Sequence, residues 1–145
     1  VSYDRLCSGR GLPEIYRFLK DTGRCQEPPW LAERLAAAGD AAPVIVDAAL
    51  DGAKSSPICV KTLETFVSIL GAEAGNLALK VMATSGIYVA GGLPPRILSF
   101  LTKGGFMEAF MRKGRMTKLV ASIPVHVVLN PATALMGAAY YLMNT

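Results

Sequence analysis

No stretch of the chain stays apolar for the roughly 20 residues that a membrane-spanning helix needs, so no membrane partner is expected. The longest apolar segment, Ala132 to Met143, is too short and carries two tyrosines. Histidine occurs once, as His126, between Val125 and the pair Val127-Val128 in an apparent strand. With no Cys or Asp ligand set beside it, a structural role is expected there and no metal site. Cys7, Cys25 and Cys59 are an odd number with none of the short spacings of a metal motif. They suit reduced thiols in a cytoplasm. A concentrated charge of one sign is also missing. The net charge of +4 is dispersed, and its densest patch is Lys113, Arg115 and Lys118 with Arg112 beside it. Nucleic-acid binding asks for a longer stripe with interleaved aromatics; this patch reads as a solvated helix end, and no nucleic acid is expected. Val1-Ser2-Tyr3-Asp4-Arg5 has neither the apolar run nor the cleavage site of a signal peptide. A start without methionine suggests a fragment or a processed product, although a cleaved tag would leave the same end.

Several chemistries are absent by motif. There is no GxxxxGK(S/T) phosphate loop, and Gly9-Arg10-Gly11 lacks both the third glycine and the preceding strand of a dinucleotide fingerprint. No GxSxG elbow exists to make a Ser-His-Asp set. Asp21-Thr22-Gly23 is a turn, since no apolar strand leads into it.

What is present is apolar surface. The 145 residues are 52% hydrophobic with a mean hydropathy of +0.36, enough for one domain with a proper core and high for a soluble one. The excess implies surface shared with something outside the chain. The pattern is mostly helical. A start capped at Ser2 breaks at Gly9 and Gly11, and a helix from Pro13 to Lys20 places Ile15, Phe18 and Leu19 on one face. Further helices are expected from Trp30 to Ala38, and from a cap at Asp40 to about Asp51, although Val44-Ile45-Val46 also suits a strand. Pro57 opens the longest helix, to about Thr84, with Val60, Leu63, Phe66, Val67, Leu70, Leu77 and Val81 in its apolar stripe. Gly71 and Gly75 lie on one face of it. Glycine costs up to about 1 kcal/mol in a helix interior, so the pair points to close backbone packing, with simple tolerance as the alternative. Helices from Pro94 to Thr102 and Phe106 to Arg112, a strand from Pro124 to Leu129 and a last helix from Pro131 to Met143 complete the reading. Ala132, Leu135, Met136, Ala139 and Tyr140 are expected to pack inward from that last helix.

The most informative segment is Ser85 to Arg96, which reads as a fully covered strand, a glycine pair and a proline-started helix. Gly91 and Gly92 let the backbone turn sharply and let a ligand approach the main chain. The helix N-terminus faces the same spot, as in nucleotide sites. A ligand-free tight turn fits the segment equally well. Two strands do not make a self-sufficient sheet, so the missing strands are expected from elsewhere.

Ordered blocks decide between these readings. Asp4-Arg5-Leu6-Cys7-Ser8-Gly9-Arg10-Gly11-Leu12 with Ile15-Tyr16 resembles the (E)RxxSGxGLxxIY segment of bacterial ATP-dependent glucokinases. Gly75-Asn76-Leu77-Ala78-Leu79 and Gly86-Ile87-Tyr88-Val89-Ala90-Gly91-Gly92-Leu93-Pro94-Pro95-Arg96 resemble that family's GNLAL and GGxxxAGGIxPR blocks. Phe110, Lys113-Gly114-Arg115, Ile123-Pro124-Val125 and Leu135-Met136-Gly137-Ala138-Ala139 follow in the family's order.

The resemblance is to the C-terminal half of the enzyme. It implies an α/β fold: residues 1–145 as the helix-rich C-terminal, large-domain part of an actin-like, ribonuclease H-like ATPase fold, with few strands. It further implies a cytoplasmic kinase of glucose metabolism that uses ATP with Mg2+. Asp4 falls where the family has a glutamate that binds glucose hydroxyls, a task suited to two acceptor oxygens. Aspartate is one methylene shorter, so a backbone shift, a bridging water or weaker sugar binding is implied. Ser8, Gly9 and Gly11 match the small-residue turn on the nucleotide side, and Gly91 and Gly92 match the pair beneath the adenosine. The family's catalytic aspartate, DxGxT phosphate loop and EGGH sugar motif do not occur here. The resemblance thus implies an active parent, a fragment that does not turn over, and partners in the missing N-terminal half and a second copy as a homodimer. A sugar-kinase-fold regulator or ligand-binding module without catalysis is the alternative.

Overall fold

The computed structural model describes residues 3–52 and 54–144, the side chain of Asp4 excepted. Helix α1 (Tyr3–Leu6) is a single turn, after which residues 7–10 redirect the chain into α2 (Gly11–Asp21). Gly11 is required at this corner. A Cβ on it would lie 2.5 Å from the Leu6 carbonyl oxygen, so only glycine lets α1 end so close to the start of α2.

Helix α2 buries Leu12, Ile15, Tyr16 and Leu19, the spacing of one helical face. Phe18 does not join them; it is 53% exposed, with the Arg24 guanidinium 5.5 Å from its ring centre. At about 100° per residue, position 18 points well away from the centre of the buried stripe. Helix α3 (Pro29–Ala37) opens on proline and buries Leu31. Helix α4 (Ala41–Leu50) is capped by Asp40, whose carboxylate accepts from the Ala42 N–H at 3.0 Å. That cap, worth about 1 kcal/mol, accompanies a helix where Val44–Val46 also suited a strand.

Helix α5 (Pro57–Lys80) is the spine, with α2 and α4 packed against it. It buries Ile58, Cys59, Thr62, Leu63, Phe66 and Val67. It stops at Lys80 rather than Thr84, and Met82 beyond it takes a positive φ of 51°. Leu77 and Val81, expected in the apolar stripe, are 48% and 60% exposed. At the C-terminal end of α5, Ala78 is fully buried while the face carrying Leu77 and Val81 turns away from the core.

The second half runs through β1 (Ile87–Val89), α6 (Leu93–Arg96), α7 (Leu98–Leu101), α8 (Gly105–Met111), a 3-10 turn at Gly114–Met116, α9 (Thr117–Ala121), β2 (Val125–Val127) and α10 (Thr133–Met143). The expected helix from Pro94 to Thr102 is broken at Ile97, which leaves two single turns. Helix α8 lies along α5, the most extensive helix pairing in the chain. Gly71 and Gly75 make it possible: a Cβ on Gly71 would overlap the Phe106 carbonyl, and one on Gly75 the Phe110 carbonyl. The glycine pair is a packing seam.

Strands β1 and β2 pair in parallel, with Ile87 opposite Val125, Tyr88 opposite His126 and Val89 opposite Val127. Val89 is buried, whereas Tyr88 is 67% exposed and stacks on His126 with ring centres 5.0 Å apart. β1 is therefore not the fully covered strand that its composition suggested; one face of the pair is bare. The larger departure is α10. None of its residues is buried, and Leu135, Met136 and Tyr140 are 74%, 59% and 72% exposed. Among the described residues, nothing covers its apolar side chains.

Candidate nucleotide site

Two turns that are distant in sequence converge. The first, residues 7–10, is held by the Cys7 N–H donating to the Tyr3 carbonyl at 2.7 Å and the Gly11 N–H donating to the Ser8 carbonyl at 2.8 Å. The second follows β1 and comprises Ala90 to Leu93. Ser8, Gly9 and Gly92 line both of two adjoining cavities, of about 530 and 360 Å3. Gly91 lines the smaller one.

The two chambers differ in chemistry. The smaller has an apolar floor of Phe66 and Leu70 from α5, with Val89, Leu93 and Pro94 above it. The larger carries Arg10, Asp40 and Arg96, and Val46 from α4. Arg96 is paired with Asp47 of α4 at 2.9 Å, which ties the second turn to α4 across this chamber. Both side chains are about half exposed, so the pair contributes at most about 1 kcal/mol. Asp40 is already engaged as the α4 cap through one carboxylate oxygen.

The glycines here act in different ways. Gly91 has φ +126°, a conformation that side-chain-bearing residues rarely adopt. Gly92 is in the helical region at φ −75°, and a Cβ on it or on Gly9 would meet nothing within 4 Å. Their missing side chains leave open space beside the main chain, the kind of cradle that a flat or charged ligand fills. Gly11 lines neither chamber; it shapes the turn that presents Ser8 and Gly9. Asp4 lies in α1, immediately before this turn, and its side chain is outside the described residues.

One expected contribution is smaller than supposed. Helix α6 is four residues long and ends at Arg96, so few peptide dipoles align behind its N-terminus. Open main chain and chamber shape, rather than a helix dipole, distinguish this corner. Cys7 also lines the apolar chamber. Burial, with a further push from the Glu73 carboxylate, raises its pKa, so the thiol stays protonated near neutral pH and is a wall rather than a nucleophile.

Of the residues singled out from the sequence, Ser8, Gly9, Gly91 and Gly92 line these chambers. Sequence reasoning missed Phe66 and Leu70 as the floor, Arg10 and Arg96 as the cationic side, and Lys113, which turns inward although it was read as a solvated charge. Phe66 and Leu70 carried a signal, being in the α5 stripe, but nothing local says what that stripe faces.

Comparison with known proteins places the chain in a family. A family model described as Glucokinase matches residues 1–145. The glucokinase of Trichormus variabilis is 40% identical over 149 aligned positions, covering 96% of this chain and 43% of that protein. The glucokinase of Helicobacter pylori is 39% identical, covering 99% of this chain and 41% of that protein. A crystal structure of glucokinase from an Antarctic psychrotroph superposes with a TM-score of 0.80 at 31% identity, over all of this chain and 41% of that one. The chain thus spans about two fifths of the length of the relatives it matches.

Proposed function

Since the chain belongs to the glucokinase family, we propose that it forms the nucleotide-binding wall of an enzyme that transfers the γ-phosphoryl group of ATP to the primary hydroxyl of glucose. The observation that carries this reading is the convergence of Ser8–Gly9 with Gly91–Gly92 around one pair of chambers, where main chain is left open on both sides. The adenosine lies over Gly91 and Gly92. Asp4 binds sugar hydroxyls from the adjoining α1, and Gly11 holds the turn between them. Magnesium enters with the nucleotide, as the ion on its phosphates; the described residues hold no cluster of three or more His, Cys, Asp or Glu.

Residues 1–145 are, in this reading, the C-terminal part of the parent. Phosphoryl transfer depends on positioning and charge stabilisation around the γ-phosphate, and the base and phosphate loop belong to the rest of the polypeptide. That remainder also covers α10 and the bare face of β1 and β2. Without it, two copies of the chain are expected to cover each other's apolar surface. A cytoplasmic homodimer is the expected state of the parent.

The test is a coupled assay of the full-length protein and of the 145-residue chain. The full-length protein is expected to form ADP dependent on glucose, and the isolated chain none. Asp4→Ala in the full-length protein is expected to raise the apparent KM for glucose about ten- to a hundredfold, as for loss of a charge-assisted hydrogen bond, with the KM for ATP little changed. Glucose-dependent ADP release by the isolated chain would overturn the division of the site. Unchanged glucose kinetics in the alanine variant would remove Asp4 from it.

A further inference from the structure

Lys113 does not sit among solvated charges. Its Nζ crosses from the end of α8 to the C-terminal third of α5 and donates to the Ala72 carbonyl at 2.7 Å and to Asn76 Oδ1 at 2.7 Å. Asn76 Nδ2 donates in turn to Glu73 Oε2 at 3.1 Å. The crossing depends on Gly75, where a Cβ would come within 2.6 Å of Lys113 Cε. Gly114, in a left-handed conformation at φ +54°, then turns the chain away. Shape at Gly71 and Gly75 and a polar clasp at Lys113 therefore fix α8 at one position along α5.

That position bears on the chambers from both sides. Phe66 and Leu70, the apolar floor, precede the clasp on α5, and α1, which carries the first turn, packs on the same helix. From Gly92 the chain reaches α8 through only the short helices α6 and α7. Glu73, which accepts from Asn76 in the clasp, also acts electrostatically on Cys7 of the chamber wall.

We propose that Lys113, with Asn76 and Glu73, is a positioning residue for the nucleotide site, whose ammonium locks α8 to α5 and so holds the Gly91–Gly92 corner at the spacing from Ser8–Gly9 that a nucleotide fills. The proposal rests on the nucleotide reading above. Lys113→Met keeps the side-chain stem and removes the clasp, whereas Asn76→Ala removes one of its acceptors.

The experiment is titration calorimetry of the full-length protein with ATP and separately with glucose. For Lys113→Met the Kd for ATP is expected to rise roughly three- to thirtyfold, the range of changes transmitted through packed networks, with the Kd for glucose unchanged. Asn76→Ala is expected to act in the same direction, and the double variant to be no worse than Lys113→Met alone. A merely structural role would lower the fraction of competent protein, and hence the stoichiometry, while leaving Kd where it was. Wild-type binding of ATP with an unchanged Kd in Lys113→Met overturns the proposal. If that variant does not fold, an unchanged Kd in Asn76→Ala does so instead. A wild-type protein that binds no ATP overturns the nucleotide reading.

Discussion

The seam between α5 and α8 and the corner between the two turns are both built on glycine, and they use it oppositely. At the seam, Gly71 and Gly75 face carbonyl oxygens of α8, and a methyl group has no room. At the corner, Gly9 and Gly92 face open space, and a methyl group would meet nothing. The first pair is needed by the fold. The second pair is not needed by the packing of this chain. Open space beside glycine is common on this surface; what sets Gly9 and Gly92 apart is that both line the same two chambers.

Substitution separates the two regions directly. Gly71→Val should have the largest effect, because its branched side chain would be driven into the Phe106 carbonyl. Overpacking of this kind costs about 1–3 kcal/mol and can exceed that at rigid backbone, and urea unfolding should show the loss. Gly71 destabilised by less than Gly92 under the same substitution would erase the contrast.

Gly92→Val should do the reverse, weakening ATP binding by about a hundredfold or more, near 3 kcal/mol, while the urea midpoint moves little. Gly91→Val should lose both, since its φ of +126° adds about 1–3 kcal/mol of backbone strain. Calorimetry with ATP alongside urea unfolding reads the two effects separately. Wild-type affinity in both variants would refute the assignment.

A smaller effect belongs to the core side. Glu27 accepts from the Tyr16 hydroxyl at 2.7 Å and from Lys20 Nζ at 2.6 Å, which staples the loop before α3 onto α2. Burial alone would raise the Glu27 pKa, but these two donors outweigh it and the net shift is downward. A carboxylate depressed in the folded state stabilises above its unfolded pKa, and that contribution is lost as pH falls through the folded value. Glu27→Gln should therefore cost about 1–2 kcal/mol at neutral pH. The difference from wild type should shrink as pH falls below about 4. A pH-independent difference would show that the carboxylate charge is not what holds the loop.

The smallest effect is expected at the site. Arg96→Ala removes a half-exposed pair with Asp47, for a loss of about 1 kcal/mol or less that fades with added salt. A larger, salt-independent loss would mean that this tie supports the corner as firmly as the seam supports the core.

Much of this molecule was legible along the chain because the forces concerned are local. Asp40 announces α4 through a bond two residues away, and prolines open α3 and α5 where an N–H is not needed. The small-residue turns and their order were enough to name the family and the four residues that meet at the chambers. The misses were non-local. Phe18 and Leu77 satisfy an apolar periodicity but are about half exposed, because they point away from the packed faces of α2 and α5. Lys113 was one more cation in a basic run until Gly75 gave it a path inward.

By itself, then, the sequence determined where the proline-opened and Asp40-capped helices α3, α4 and α5 start, and that the chain carries much apolar surface. Helix caps, proline and periodicity act within a few residues, so they survive in a linear reading. Only the tertiary structure decided which glycines close a seam and which leave a cradle, which lysine becomes a clasp, and that α10 remains bare. Each of those outcomes depends on what arrives from dozens of residues away, and a glycine carries no local sign of whether its neighbour in space is a carbonyl or a void.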